Sequence, residues 1–231
     1  MLLYDSNDLF QTNLELDCNL IEESWGSYIK VKNFWKYPHK IREIALNIPC
    51  FKLPGSCYNI HNGTKYFDGR SQFVFPNQPE FSNIVFYIIL KYFNIDKSFL
   101  ELKWKSPTLL FNNVFKMIDK NYNMYQSYSY APHRDGINQI ACTWYMNENY
   151  GDGEGTAFYD ISISETDDCL MNNLSSPWAN QPKKIGEIPA EYNSLVIYSG
   201  DIPHGQMVTE RWFDEERLTM VQFYNDHRIY K

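Results

Sequence analysis

Three separated pieces constrain this chain more than anything else in it: YAPHRD at 130–135, GDIPHG at 200–205 and ERLT at 216–219. His133 and Asp135 are separated by a single residue, so in an extended chain both side chains leave the same face. An imidazole and a carboxylate presented together, and met by a second imidazole from a distant strand, form the 2-His-1-carboxylate triad that holds non-haem Fe(II). His204 is the candidate for that second imidazole. Arg217 opens the last apolar run, where a fixed guanidinium can grip a carboxylate through two parallel hydrogen bonds. Each element alone is weak evidence. A strand-end histidine paired with a surface carboxylate accounts for H-x-D, and a turn histidine after Pro203 accounts for His204. The ordered set, H-x-D, glycine-rich hairpin, strand, G-x-x-x-H and R-x-T, is far more specific, and it points to an iron oxygenase that consumes a carboxylate co-substrate.

The texture of the chain agrees with remote segments folding back on one another. From Tyr125 onward it is a succession of strand-like segments, YQSYSYA, INQIACTWYMN, GTAFYD, SLVIYS and RLTMVQFY, separated by turn-rich pieces such as NYGDGEG. That spacing predicts an antiparallel sandwich or barrel behind a helical N-terminal layer, able to close round a small pocket. The opening 25 residues read as an irregular lead-in, and 27–35 contains a short alternating strand. Pro38 suits a first helical turn; Ile41, Ile44, Ala45 and Ile48 then recur at helical spacing until Pro49 ends the run. Glycines and Asn-Gly mark 53–70 as loop or hairpin, and 79–93 reads as a second helix. Residues 109–118 fit either a helix or a strand, with a strand from about 113 preferred. The whole of 1–231 is expected to be one domain, with 1–112 a strand and helix support layer and 113–226 the β core. Residues 160–184 form a polar insertion beside the pocket mouth.

Composition bounds the partners. The 21 basic and 28 acidic residues leave a net charge of -7, which counts against general nucleic-acid binding because phosphate contacts use Lys and Arg. The basic and aromatic stretch 28–42 has the ingredients of a strand-binding surface. A core-facing strand and helix with a charged outer edge explain it better. Cys18, Cys50, Cys57, Cys142 and Cys169 have no C-x-x-C spacing, so free thiols in a reducing compartment are expected rather than a disulfide framework or a cysteine zinc site. The N-terminus is acidic where a signal peptide is basic and apolar, and the longest apolar run, IVFYIIL at 84–90, is too short to span a bilayer. A cytoplasmic protein without a membrane association is the expectation.

Taken together, these motifs resemble the double-stranded β-helix superfamily of Fe(II)/2-oxoglutarate-dependent dioxygenases. The prolyl-hydroxylase-like branch, and within it an uncharacterised bacterial and phage-associated subgroup with P-H-x-D and G-T-A-F-Y, is the nearest in pattern. The matching positions are His133 and Asp135, TWYMN at 143–147, GEGTAF at 153–158, His204, and Arg217 with Thr219. The similarity covers roughly 113–226, and a weaker match at 37–55 resembles the helix and loop that precede the core in the family. Two departures stand out: Glu154 occupies one position of the usual adjacent glycine pair, and the stretch from His204 to Arg217 is long for the family.

The resemblance implies a jelly-roll, cupin-like fold, mainly β with N-terminal helices. It also implies Fe(II), 2-oxoglutarate and O₂ as the reacting set, with His133, Asp135 and His204 as metal ligands. Decarboxylation of the 2-oxoacid would be coupled to hydroxylation of an unactivated C–H bond on a peptide or protein side chain, an amino acid or a small molecule. Asp135 bears on the outcome, because halogenating members lack the carboxylate. Read from the residues, Arg217 pairs with the remote carboxylate of the co-substrate, since an unpaired buried carboxylate is costly. Alternation from Arg217 places Thr219, Val221 and Phe223 on the same face. Tyr125, Tyr128 and Tyr130 are candidates for a further donor, Tyr128 being preferred, while cross-strand packing accounts equally for all three. Two other classes fit much of the pattern, a cupin-like iron protein that does not use 2-oxoglutarate and a catalytically inactive binding module. His39, His61 and His227 have no partner by spacing, and the pattern leaves the oligomeric state open.

Overall fold

The computed structural model describes residues 10–47, 58–61, 64–67, 70–74, 79–102, 108–112, 134–160, 183–207 and 218–228. Its elements, in chain order, are β1 (Asp17–Glu23), β2 (Gly26–Lys32), α1 (Pro38–Asn47), β3 (Tyr58–His61), β4 (Thr64–Phe67), β5 (Arg70–Val74), α2 (Pro79–Tyr92), β6 (Leu100–Leu102) and β7 (Thr108–Asn112). They continue with β8 (Gln139–Tyr145), β9 (Gly155–Asp160), β10 (Lys183–Pro189), β11 (Ser194–Ser199), β12 (His204–Met207) and β13 (Thr219–Asp226).

An antiparallel six-stranded sheet runs in the order β1-β2-β11-β8-β13-β6, and a three-stranded sheet runs β10-β9-β12. β3–β4 and β5–β7 form two further two-stranded antiparallel sheets, with β7 lying against β13 of the large sheet. Side-chain alternation divides the interior in two. Ile29, Val31, Ile140, Cys142, Trp144, Leu195, Ile197, Met220 and Tyr224 leave one face of the large sheet to pack with Ile41 of α1 and with Phe81, Val85, Ile88 and Ile89 of α2. From the opposite face Tyr28, Ala141, Tyr145, Val196 and Tyr198 meet Phe158 and Ile188 of the small sheet. The result is a mixed β/α architecture of helices, large sheet and small sheet, in the layered manner that buries one face of every element.

Local chemistry explains the helices. Tyr37 accepts hydrogen bonds from Lys40 N and Ile41 N, so Pro38 occupies the first helical position, where its missing N–H costs nothing. In α2 the buried Phe81, Val85, Ile88 and Ile89 make one stripe while Tyr87 is exposed on the other side. The helix ends with Asn94 at φ 51 and with Ile95 N–H donating to the Leu90 carbonyl at 3.2 Å, an ending in which the left-handed residue satisfies an orphan carbonyl.

Three expectations change. Within the opening 25 residues, expected to be an irregular lead-in, residues 17–23 are the strand β1, paired along its full length with β2. It is an edge strand whose side chains are mostly exposed, so acids and Asn take positions that a central strand fills with apolar groups. A strand in the ambiguous 109–118 stretch begins earlier than 113, as β7, and 113–118 lies outside the described residues. β10, at the end of the polar insertion, is mainly exposed and carries no alternating signal. The strand expected over YQSYSYA also lies outside the described residues. Cys18 and Cys142 are free thiols, Cys142 deep in the helix-side core. Among the described residues, no helix is long and apolar enough to cross a membrane.

Two side chains join the layers. Trp25, in the β1–β2 turn, reaches across to the small sheet and stacks on Phe158 with ring centroids 4.0 Å apart. Gly186 makes room for it, since a Cβ there would lie 2.0 Å from the Trp25 indole nitrogen. Asn193, buried at φ 57, accepts from Trp35 N at 2.8 Å and donates to Trp35 O at 2.9 Å, while its own N–H bonds to the Tyr145 carbonyl. It fastens the segment before α1 to the end of the central strand. N193A leaves both Trp35 backbone groups buried without these partners, and a loss of about 2–4 kcal/mol is expected in urea denaturation, with the far-ultraviolet circular dichroism retained.

Candidate metal centre

Asp135 and His204 meet between two loops. Asp135 lies four residues ahead of β8, and its N–H donates to the Gly200 carbonyl at 3.1 Å. Gly200 N–H in turn donates to the Gln139 carbonyl at 2.7 Å, so the loop leaving β11 lies along the entry to β8. His204 opens β12, opposite Phe158 of β9. Its Nε2 stands 3.2 Å from Asp135 Oδ2, and both side chains are nearly enclosed, 5% and 11% exposed.

The donor set has a definite polarity. His204 Nδ1 lies 2.8 Å from the Ile202 carbonyl. A carbonyl only accepts, so Nδ1 carries hydrogen and the Nε2 lone pair is turned toward the carboxylate. Two acceptors at that distance require a cation between them, either a proton on Nε2 or a metal ion. Ligand bonds of about 2.0–2.2 Å at right angles put neighbouring donor atoms roughly 3 Å apart, so the pair fits one edge of a coordination sphere. His133, the third predicted ligand, lies outside the described residues, as do Arg217 and Tyr128. Among the described residues, no group of three His, Cys, Asp or Glu converges.

Thr219 begins β13, is buried, and is the register partner of Tyr145. Met220 and Tyr224 belong to the helix-side core and Phe223 to the inter-sheet core, so alternation puts Thr219 and Val221 on the inter-sheet side; Arg217, whose face they were expected to share, lies outside the described residues. That interior is unusually polar. Tyr145 and Thr156 share a hydrogen bond at 2.8 Å across the two sheets. Thr143 and Tyr198 share a longer one at 3.4 Å, and the Tyr198 ring meets His204 edge-on with centroids 5.0 Å apart. Burial, and then the charge of Asp135, push the Tyr198 phenol well above its ordinary range. Tyr145 and Tyr198 were not among the tyrosines singled out from sequence. The alternation of TWY against SLVIY, once these strands are paired, is the signal that finds them.

The departure at Glu154 also has a structural account. Gly153 and Gly155 flank it at φ 78 and 146, and a Cβ on Gly155 would lie 2.1 Å from the Ile188 carbonyl. Glu154 is buried and accepts from Gly151 N at 2.8 Å, so its carboxylate braces the loop that a second glycine would otherwise leave to the backbone.

No protein-family model and no curated protein matches this sequence. Comparison with solved structures is informative at the level of fold. The non-haem alpha ketoglutarate dependent epimerase SnoN from nogalamycin biosynthesis superposes with a TM-score of 0.51 at 11% identity, covering 86% of this chain and 78% of its own. The two chains share a fold. EvdMO1 aligns over 93% of this chain and 56% of its own, with a TM-score of 0.48 and 11% identity. A Pseudomonas putida prolyl-4-hydroxylase aligns over 86% and 92%, with a TM-score of 0.39 and 13% identity.

Burial lowers the His204 pKa, but the charge and hydrogen bond of Asp135 and the Ile202 carbonyl outweigh it, and the net direction is upward. A raised folded-state pKa means that metal-free protein gains stability from this pair below the unfolded value of about 6.5. That gain is lost as pH rises through the folded value. Denaturation of metal-free wild type and H204Q across this range should therefore show the stability difference between them shrinking on the alkaline side.

Proposed function

We propose that this chain is an Fe(II)- and 2-oxoglutarate-dependent oxygenase of the double-stranded β-helix superfamily. The observation that carries the reading is the buried apposition of Asp135 and His204, with His204 Nδ1 committed to a carbonyl and Nε2 turned to the carboxylate. The shared fold with an epimerase described as non-haem and alpha ketoglutarate dependent supports the same class.

In this reading the fold is a double-stranded β-helix, and His133 joins Asp135 and His204 as the third ligand. Bound Fe(II) would supply the redox chemistry by which O₂ and 2-oxoglutarate yield succinate, CO₂ and one oxygen atom inserted into a substrate C–H bond. The chain's own part is to bind and orient. Arg217 pairs with the remote carboxylate of the co-substrate, with the Thr219 hydroxyl as a neighbouring donor. Tyr145 and Thr156, which bridge the sheets on the same interior, provide polar groups that a carboxylate-bearing ligand can use. The substrate class in this proposal is a peptide side chain, an amino acid or a small molecule. In anaerobic titrations wild type should bind Fe(II) or Co(II) stoichiometrically, and H133A or H204A should lose that binding. With metal loaded, R217A should weaken calorimetric 2-oxoglutarate binding by at least about tenfold, and R217K should recover part of it. Equal 2-oxoglutarate affinities for wild type and R217A would remove Arg217 from the anchor role.

The polar insertion is proposed to border the entrance. Asp160 and Lys183 are register partners, so 161–182 departs and returns at one point, two residues beyond the Phe158–His204 pair. Replacing 161–182 by a short turn should reduce substrate turnover in a steady-state assay while leaving metal affinity unchanged. Unchanged turnover would make the segment a tolerated surface loop.

A further inference from the structure

The two candidate ligands ride on different loops, residues 134–138 ahead of β8 and residues 200–203 between β11 and β12. Backbone bonds join the loops at Asp135 N to Gly200 O and at Gly200 N to Gln139 O. A third tie is made by a side chain, in which Asp201 Oδ1 accepts from Asn138 N–H at 2.7 Å. The turn it holds is strained, with Gly136 at φ 136 and Asn138 at φ 60. Asn138 is buried, and its carbonyl accepts from Asp226 N at 2.7 Å, so the peptides on both sides of this residue are held. Asp201 is equally well seated: its own N–H donates to Ser199 Oγ at 3.3 Å, and the next carbonyl, that of Ile202, orients His204.

The geometry points to Asp201 as a positioning residue for the metal centre: its carboxylate locks the turn after Asp135 to the loop before His204, and so sets the separation of the two ligand atoms. This rests on the metal reading above. A hydrogen-bonded neighbour that aims a ligand typically changes metal affinity 10- to 100-fold when removed. Here the bond acts one step further back, on the loops that carry the ligands. The requirement is for an acceptor at Oδ1 and not for charge, since the partner is a neutral peptide N–H.

The test is Co(II) titration with the visible ligand-field spectrum recorded, on wild type, D201A, D201N and D96A. Asp96 Oδ1 caps Ser98 N at 2.8 Å in the same manner but away from the ligand loops, so D96A controls for the loss of a turn cap alone. D201A should bind Co(II) at least about tenfold more weakly, with an altered spectrum. D201N, which keeps the acceptor, should stay close to wild type, and D96A should match it in affinity and spectrum. A D201A protein with wild-type affinity and spectrum overturns the inference whatever its melting temperature, and so does D201N as defective as D201A. Should D201A not fold, D201E takes its place: the longer side chain displaces the acceptor while keeping the charge, and a wild-type result from it is again contrary. Wild type that binds no Co(II) overturns the metal reading itself and the inference with it, an outcome separate from equal binding by wild type and variant.

Discussion

Strand β8 has neither a free edge nor an open face, and the rest of the molecule is arranged to satisfy it. Its backbone is paired with β11 on one side and β13 on the other, and all but its first residue are buried. Unpaired backbone groups at such a position would cost several kcal/mol, so neighbouring strands are locked in register. A one-residue slip would exchange its two faces, sending Trp144 and Cys142 toward the small sheet and Thr143 and Tyr145 into the helix layer. Asp135 lies four residues ahead of this strand, tied to Gly200 after its neighbour β11, and Thr219 faces its far end.

The two faces of the large sheet do different work. Toward the helices the interior is a dense aromatic and aliphatic core, with Trp35, Phe34, Phe81 and Trp144 in edge-on and stacked contact. Within it Gln222 and Tyr224 hydrogen-bond to Ser82 of α2, while the buried indole N–H groups of Trp35 and Trp144 make no hydrogen bond among the described residues. Toward the small sheet, hydroxyls and an imidazole occupy positions that plain stability would give to Val or Leu. Burying such groups is costly unless they are paired or serve a ligand. The helix-side core offsets that cost.

What could be read from the sequence follows the same division. α2 was visible because its apolar residues repeat at helical spacing and a polar face opposes them, and β8, β9, β11 and β13 were visible as apolar runs between turns. His204 and Asp135 stood out because few other reasons place them in that order. β1 and β10 were hidden because strands with little burial have little pattern to show. The contributions of Asn193 and Gly186 were hidden for another reason. Each depends on a partner distant in the chain or on a backbone angle, and neither leaves a mark in local composition. Tyr145 and Tyr198 fall between these cases, since their alternation is legible but their shared interior exists only after pairing.

The antiparallel match of Asp160 with Lys183 has a consequence for how such a protein can diversify. Because the strands on either side are already zipped, whatever is spliced between them leaves the ladder that seats His204 untouched. Length and sequence there are free to drift without disturbing the strands that set Asp135 and His204 against each other. One hairpin thus separates the heritable variation of 161–182 from that of the ladder beside it.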